Sequence, residues 1–167
     1  MTTPSLPPTS TPAASDDAVL SAQIDIAAPV GKVWRLLAQQ DLMSRWSPET
    51  WKQWFFPRRE IRRGTISINL NKRGPVVWPT ISRYTEVRAH ERLRFFVVGP
   101  NAWWGYDLTE IPSGTRVTLR RDVFRGRPSL ATRIVGTLLL GGVTSHEGEI
   151  EQGMHVTLAR VKAELEA

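Results

Sequence analysis

Three residues have the types needed to move a proton or hold an oxyanion inside an apolar cavity: His146, Tyr106 and Arg121. Histidine is the side chain that titrates nearest neutral pH. His146 falls on the backward extension of an apolar stripe formed by Ile150, Met154, Leu158, Val161 and Leu165, with Glu149 close enough in sequence to orient it. The same position also suits a satisfied histidine near a helix end. His90 is expected to be exposed in a hairpin, and His155 lies off the stripe. Arg121 shares strand parity with Val117 and Leu119, whereas Arg120 faces the other way. An inward guanidinium can bind a carboxylate, phenolate or enolate and stabilise an oxyanion during aldol cyclisation. Arg73 is a further cation expected near the sheet interior.

A cavity for such groups needs rings. The chain carries 7 Trp in 167 residues, and an indole buries well where its N–H finds a partner. Trp104, Tyr106 and Leu108 share one strand face; Trp103, Gly105 and Asp107 share the other. The Leu108 face is expected to be concave, because the opposite choice would bury Asp107 without a partner. Trp78, Thr80, Ser82 and Tyr84 give a second strand a face that is apolar with hydroxyls. Together with Trp46, Gly153 and Met154 these are the candidate substrate-binding residues. A lining of this kind with a few convergent polar groups suits a small molecule, and the same rings also suit a plain core. With no Cys, disulfides, thiolate catalysis and Cys-based metal sites are excluded. No metal cluster, phosphate-binding loop or Ser-His-Asp spacing is visible, so no metal and no cofactor are expected.

The elements that must position these groups follow from periodicity. Residues 1–17 are Thr, Ser, Pro and Ala without pattern and are expected to be a disordered tail; residues 18–167 form one domain. A strand through Ile24 and Ile26 leads to Pro29, placed as a first helical residue. Val30, Val33, Trp34 and Leu37 then mark one helix face. A second short helix, capped by Asp41, carries Trp46 and stops at Ser47-Pro48. Alternation predicts strands over 51–56, 65–71, 76–88, 92–98, 102–110 and 115–123. Residues 130–140 read as an apolar helix closed by Gly141-Gly142, and 145–166 as a long amphipathic helix.

Hydrophobic content of 41% and a charged fraction of 23% describe an ordinary globular chain. No stretch approaches a membrane span and no secretory signal pattern opens the sequence, so the expected location is the cytoplasm. The net charge of +6 is concentrated in Arg58, Arg59, Arg62 and Arg63, and again in Arg116, Arg120, Arg121, Arg125 and Arg127. These clusters suit a solvated edge or an anionic partner, but no nucleic-acid motif accompanies them.

The ordered motifs Ile24-Asp-Ile-Ala-Ala-Pro-Val-Gly-Lys-Val-Trp34, Trp46-Ser-Pro48, Lys72-Arg-Gly-Pro-Val-Val-Trp78, Tyr84-Thr-Glu-Val87, Trp104-Gly-Tyr-Asp-Leu108, Gly114-Thr-Arg-Val117 and Leu158-Ala-Arg-Val-Lys162 span most of the chain. With them the sequence resembles the START-related polyketide cyclase/dehydrase and lipid-transport superfamily (SRPBCC). The resemblance implies an α+β helix-grip fold: a curved seven-stranded antiparallel sheet wrapped around a long C-terminal helix, with two short helices after the first strand. It implies a hydrophobic small-molecule ligand and a monomer or homodimer. The activity is left between two readings. One is a cofactor-independent cyclase, aromatase or dehydratase using His146, Arg121 and Tyr106. The other is a non-catalytic carrier or sensor of lipids, quinones or steroids. A third class is an interaction module using the Arg-rich surface.

Overall fold

The computed structural model describes residues 20–39, 43–57, 60–123 and 143–167, the side chains of Val123 and 143–147 excepted. The expectations for the 1–17 tail, the Asp41 cap, the 130–140 helix and Gly141-Gly142 lie outside these residues, as do Arg58, Arg59, Arg125 and Arg127.

The chain runs β1 (Leu20–Ile26), α1 (Val30–Leu37), α2 (Met43–Trp46), β2 (Thr50–Phe56), β3 (Ile66–Arg73), β4 (Val76–Arg88), β5 (Arg92–Val98), β6 (Ala102–Ile111), β7 (Gly114–Val123) and α3 (Val143–Glu166). All seven strands form one antiparallel sheet in the order β1-β7-β6-β5-β4-β3-β2. This is the helix-grip arrangement: consecutive strands pair as hairpins, while β1 crosses to join β7. Pro29 proves to be the N-cap of α1 rather than its first residue. Its ψ of 145° is extended, and its carbonyl accepts the first helical N–H bonds, from Lys32 and Val33.

α3 buries Met154, Leu158, Val161 and Leu165 against β1 and its neighbours, the face its sequence period defines. Polar contacts fix its C-terminal half. The Trp46 indole N–H donates to Glu164 at 2.7 Å, and Arg160 donates to the Trp46 carbonyl, so α2 is tied to α3. The Ala27 N–H donates to Glu166 at 2.7 Å; Lys162 donates to the same carboxylate and to the Asp25 carbonyl. Arg116 holds the Asp25 carboxylate through two N–H bonds.

Those contacts make the β1–α3 junction acid-sensitive. The Arg116 hydrogen bonds lower the Asp25 pKa, and the Ala27 N–H, then Lys162, lower that of Glu166. A folded-state pKa below the unfolded one contributes stability that is present above the unfolded value and lost as pH falls through the folded one. The thermal unfolding temperature is therefore expected to drop as pH falls below about 4. Asp25→Asn and Glu166→Gln should unfold at lower temperature at neutral pH and lose less on acidification.

The two sheet faces differ sharply. Inward on β6 lie Tyr106 and Leu108, both buried, with half-buried Trp104. Asp107 points outward to Arg92, Arg94 and Arg120. On β3 the polar residues Ser67 and Asn69 are buried, while Ile66 and Ile68 are exposed.

Candidate functional site

A row of inner-face residues crosses the middle of the sheet. Register pairs Tyr84 with Phe95, Phe95 with Trp104, and Trp104 with Arg121. The rings of Tyr84 and Phe95 sit 5.2 Å apart, and Phe55 adds a third ring 6.1 Å from Tyr84. The Arg121 guanidinium lies 5.8 Å over the Trp104 ring, a cation–π geometry that the alternation of β7 produces by placing Arg121 beyond buried Val117 and Leu119.

From Tyr84 a polar strip climbs β3 and β4 toward the Arg73 turn. Register sets Ser67 beside Ser82, Asn69 beside Thr80 and Asn71 beside Trp78. Asn69 is the hub. Its amide oxygen accepts from Gln53 at 2.7 Å and from Ser67 at 3.0 Å, and its amide nitrogen donates to Ser82 at 2.9 Å and Thr80 at 3.3 Å. Asn71 donates to Thr80 at 3.1 Å. The amide oxygen of Gln53 is buried and has no hydrogen-bond partner among the described residues. A buried acceptor of this kind is costly unless a donor comes to it.

The strip ends at a cleft of about 680 Å³ lined by Pro48, Glu49, Arg73, Glu149 and Gly153, among others. Arg73 bridges its walls, pairing with Glu49 from the loop after α2 and with Glu149 of α3 at 2.6 Å. Gly153 faces Pro48 across the cleft: a Cβ there would stand 3.5 Å from the Pro48 ring, an ordinary contact.

The candidate residues therefore divide. Trp104, Arg121, Tyr84, Ser82, Thr80 and Trp78 share the inner sheet face, with Tyr84 and Ser82 buried in it, and Gly153 lines the cleft. Leu108 and Met154 are buried in the apolar core, and Trp46 is a buried fastening between α2 and α3. The Tyr106 hydroxyl donates to the Met43 sulfur at 3.6 Å. Burial pushes the pKa of Tyr106 and of Tyr84 far up, so both stay neutral phenols at physiological pH. His146 lies in α3, and its side chain is outside the described residues. His90 is exposed in the β4–β5 hairpin, edge-on to Trp34. The amides Gln53, Asn69 and Asn71 were not among the candidates; the polar alternation Ser67-Ile-Asn-Leu-Asn71 is the signal that marks them. Among the described residues no group of three or more acidic or His side chains could hold a metal ion.

A seven-stranded antiparallel sheet packed on one long C-terminal helix defines the helix-grip class of domains. The chain matches the family described as "Polyketide cyclase / dehydrase and lipid transport" over residues 17–166, and it belongs to that family. Among solved structures it is similar to the di-domain ARO/CYC StfQ of the steffimycin biosynthetic pathway, with a TM-score of 0.68 and 11% identity. That match covers 89% of this chain and 51% of StfQ, so the chain spans about half the length of the di-domain protein. It is also similar to TTHA0849 of Thermus thermophilus, with a TM-score of 0.66, 17% identity, and 88% and 96% of the two chains covered. For Cgl2372 of Corynebacterium glutamicum, a Polyketide_cyc-like protein, the TM-score is 0.60 at 19% identity, covering 91% and 93%. At these identities the likeness is one of fold. No curated protein sequence matches the chain. No helix among the described residues is long and apolar enough to cross a membrane.

Proposed function

We propose that the protein encloses an oxygenated aromatic small molecule of the polyketide type between the inner sheet face and α3, as a polyketide cyclase-like domain. The observation that carries this reading is the Asn69 strip. Hydroxyls and amides line one edge of an aromatic floor, and one buried acceptor, Gln53 Oε1, awaits a donor such as a ligand hydroxyl. Arg121 supplies the cation that would polarise a ligand carbonyl, with Trp104 beneath it as a stacking surface. Tyr106, held neutral by burial, would serve as a hydrogen-bond donor rather than a general acid or base. The proton-transfer role then falls to His146.

A non-catalytic carrier is the second reading. It is favoured by the strip itself: every side chain from Ser67 and Ser82 to Asn71 is a neutral amide or hydroxyl, suited to orienting a ligand but not to moving protons.

Tryptophan fluorescence during titration with polycyclic phenols, quinones, fatty acids and sterols tests the enclosure. Saturable quenching by phenols or quinones is expected, with affinity about tenfold lower in Trp104→Ala. A flat response to every class would overturn the reading. Turnover of a bound polyketide analogue by wild type, lost in Arg121→Ala and His146→Ala, separates the enzyme from the carrier.

A further inference from the structure

The exposed large hydrophobic residues among those described all lie on β2 to β5. Four of them form a row across the outer face: Trp54 pairs with Ile68, Ile68 with Ile81, and Ile81 with Val98. Their exposures are 38%, 38%, 47% and 50%. Phe56 and Ile66 make a second row beside them, at 49% and 41%. A contiguous exposed patch of this kind on a globular protein marks an interaction site.

The charges around it say what it meets. On the other half of the outer face, Arg92, Arg94 and Arg120 converge on Asp107, and Arg116 pairs with Asp25. On the apolar half the exposed cations are Lys52, Lys72 and Arg83, and none of them forms an ion pair with another described residue. The stretches 52–56, 66–72 and 77–83 contain no Asp or Glu. Lys52 and Lys72 instead place their ammonium groups 5.0 and 5.5 Å over the ring of Trp51, itself half exposed at the β2 bulge. A second copy stacked on this face would bring like charges together with no carboxylate to relieve them. A bilayer carrying anionic headgroups answers both features, because Trp and Phe sit favourably at the headgroup level while Lys and Arg reach lipid phosphates.

We propose that the apolar half of the outer sheet face docks on an anionic lipid surface, with the Trp54–Ile68–Ile81–Val98 row in the headgroup region and Lys52, Lys72 and Arg83 on the phosphates. The inference does not depend on what the inner face encloses. Co-sedimentation with vesicles of phosphatidylcholine and phosphatidylglycerol tests it, with pure phosphatidylcholine vesicles alongside. Binding to the mixed vesicles is expected, weaker by roughly tenfold or more on neutral vesicles and in the Lys52→Glu/Arg83→Glu double variant. Ile68→Ser/Ile81→Ser should lose a similar factor with its charge unchanged, while Arg116→Gln, on the ion-paired half, should bind as wild type does. Absence of vesicle binding by the wild type would overturn the proposal. So would an equal loss in Arg116→Gln. Self-association without lipid that Ile81→Ser abolishes, with no vesicle binding, would assign the face to a second copy instead.

Discussion

Gly114→Ala is expected to cost about 3 kcal/mol of stability or more, the largest effect of a glycine-to-alanine change among the described residues. Gly114 opens β7 at a φ of 140°, a conformation that side chains rarely adopt. The clash is more severe than the torsion. A Cβ would stand 2.1 Å from the Ile26 carbonyl oxygen, 2.9 Å from the Ala28 nitrogen and 3.0 Å from the Ala27 Cα. All three are backbone atoms, so no rotamer change relieves them. The β6–β7 hairpin would have to move off the end of β1, where Ala27 also anchors α3 through Glu166. Gly74 supplies the comparison: its φ is 55°, and a Cβ there meets nothing within 4 Å. Gly74→Ala should therefore cost only about 1 kcal/mol, from the left-handed backbone alone. Urea unfolding reads both variants as a shift in midpoint at constant slope. Equal costs would mean that contact with the β1 end does not determine the Gly114 effect.

Much of this architecture is readable from local pattern. β4 and β5 begin and end where alternation and the Gly99-Pro100 turn put them, and the stripe from Ile150 to Leu165 defines the buried face of α3. The facing of β6 also follows from Asp107, although the physical reason differs. Asp107 is not simply solvated: arginines from β5 and β7 converge on it, a contact set by cross-strand register that no single segment encodes. Arg73 shows the same limit. Its sequence position suggests a cation near the sheet interior, but not the pairs with Glu49 and Glu149 that hold it in the cleft lining.

The polar strip is hidden for a different reason. Alternation along β3 is clean but inverted, with Ser67 and Asn69 buried and Ile66 and Ile68 exposed. Period two fixes which residues share a face, not which face is inside, and the usual preference assigns the isoleucines to the core. One inversion accounts for both unexpected features of the molecule. The same residues that line the inner strip with amides and hydroxyls leave the outer face of β2–β4 apolar. Such a reversal of the hydrophobic rule is costly on both faces, and a binding role for each face is what would offset it.

Asn69→Leu should separate a strip that recognises a ligand from one that only holds the sheet together. The substitution keeps the branched side-chain shape, adds some bulk, and removes both an acceptor and a donor group from a site that is 6% exposed. Gln53 and Ser67 lose the oxygen they donate to, and Ser82 and Thr80 lose the amide hydrogens they accept. Hydroxyls can turn to new partners, but the Gln53 amide already has an unmet oxygen, so the cluster has little slack. A loss of about 2–4 kcal/mol is expected, read by urea unfolding. Asn71→Leu serves as the milder control, since Asn71 is only half-buried and its bonds to Thr80 and the Trp78 carbonyl are longer, at 3.1 and 3.4 Å. Binding then decides the role. If the strip orients an oxygenated ligand, folded Asn69→Leu protein should bind a polycyclic phenol about tenfold more weakly, yet bind the parent hydrocarbon at least as well as wild type does. If the strip is structural only, affinity for phenol and hydrocarbon should change by the same factor. That result would leave the aromatic row from Tyr84 to Trp104 as the sole recognition surface.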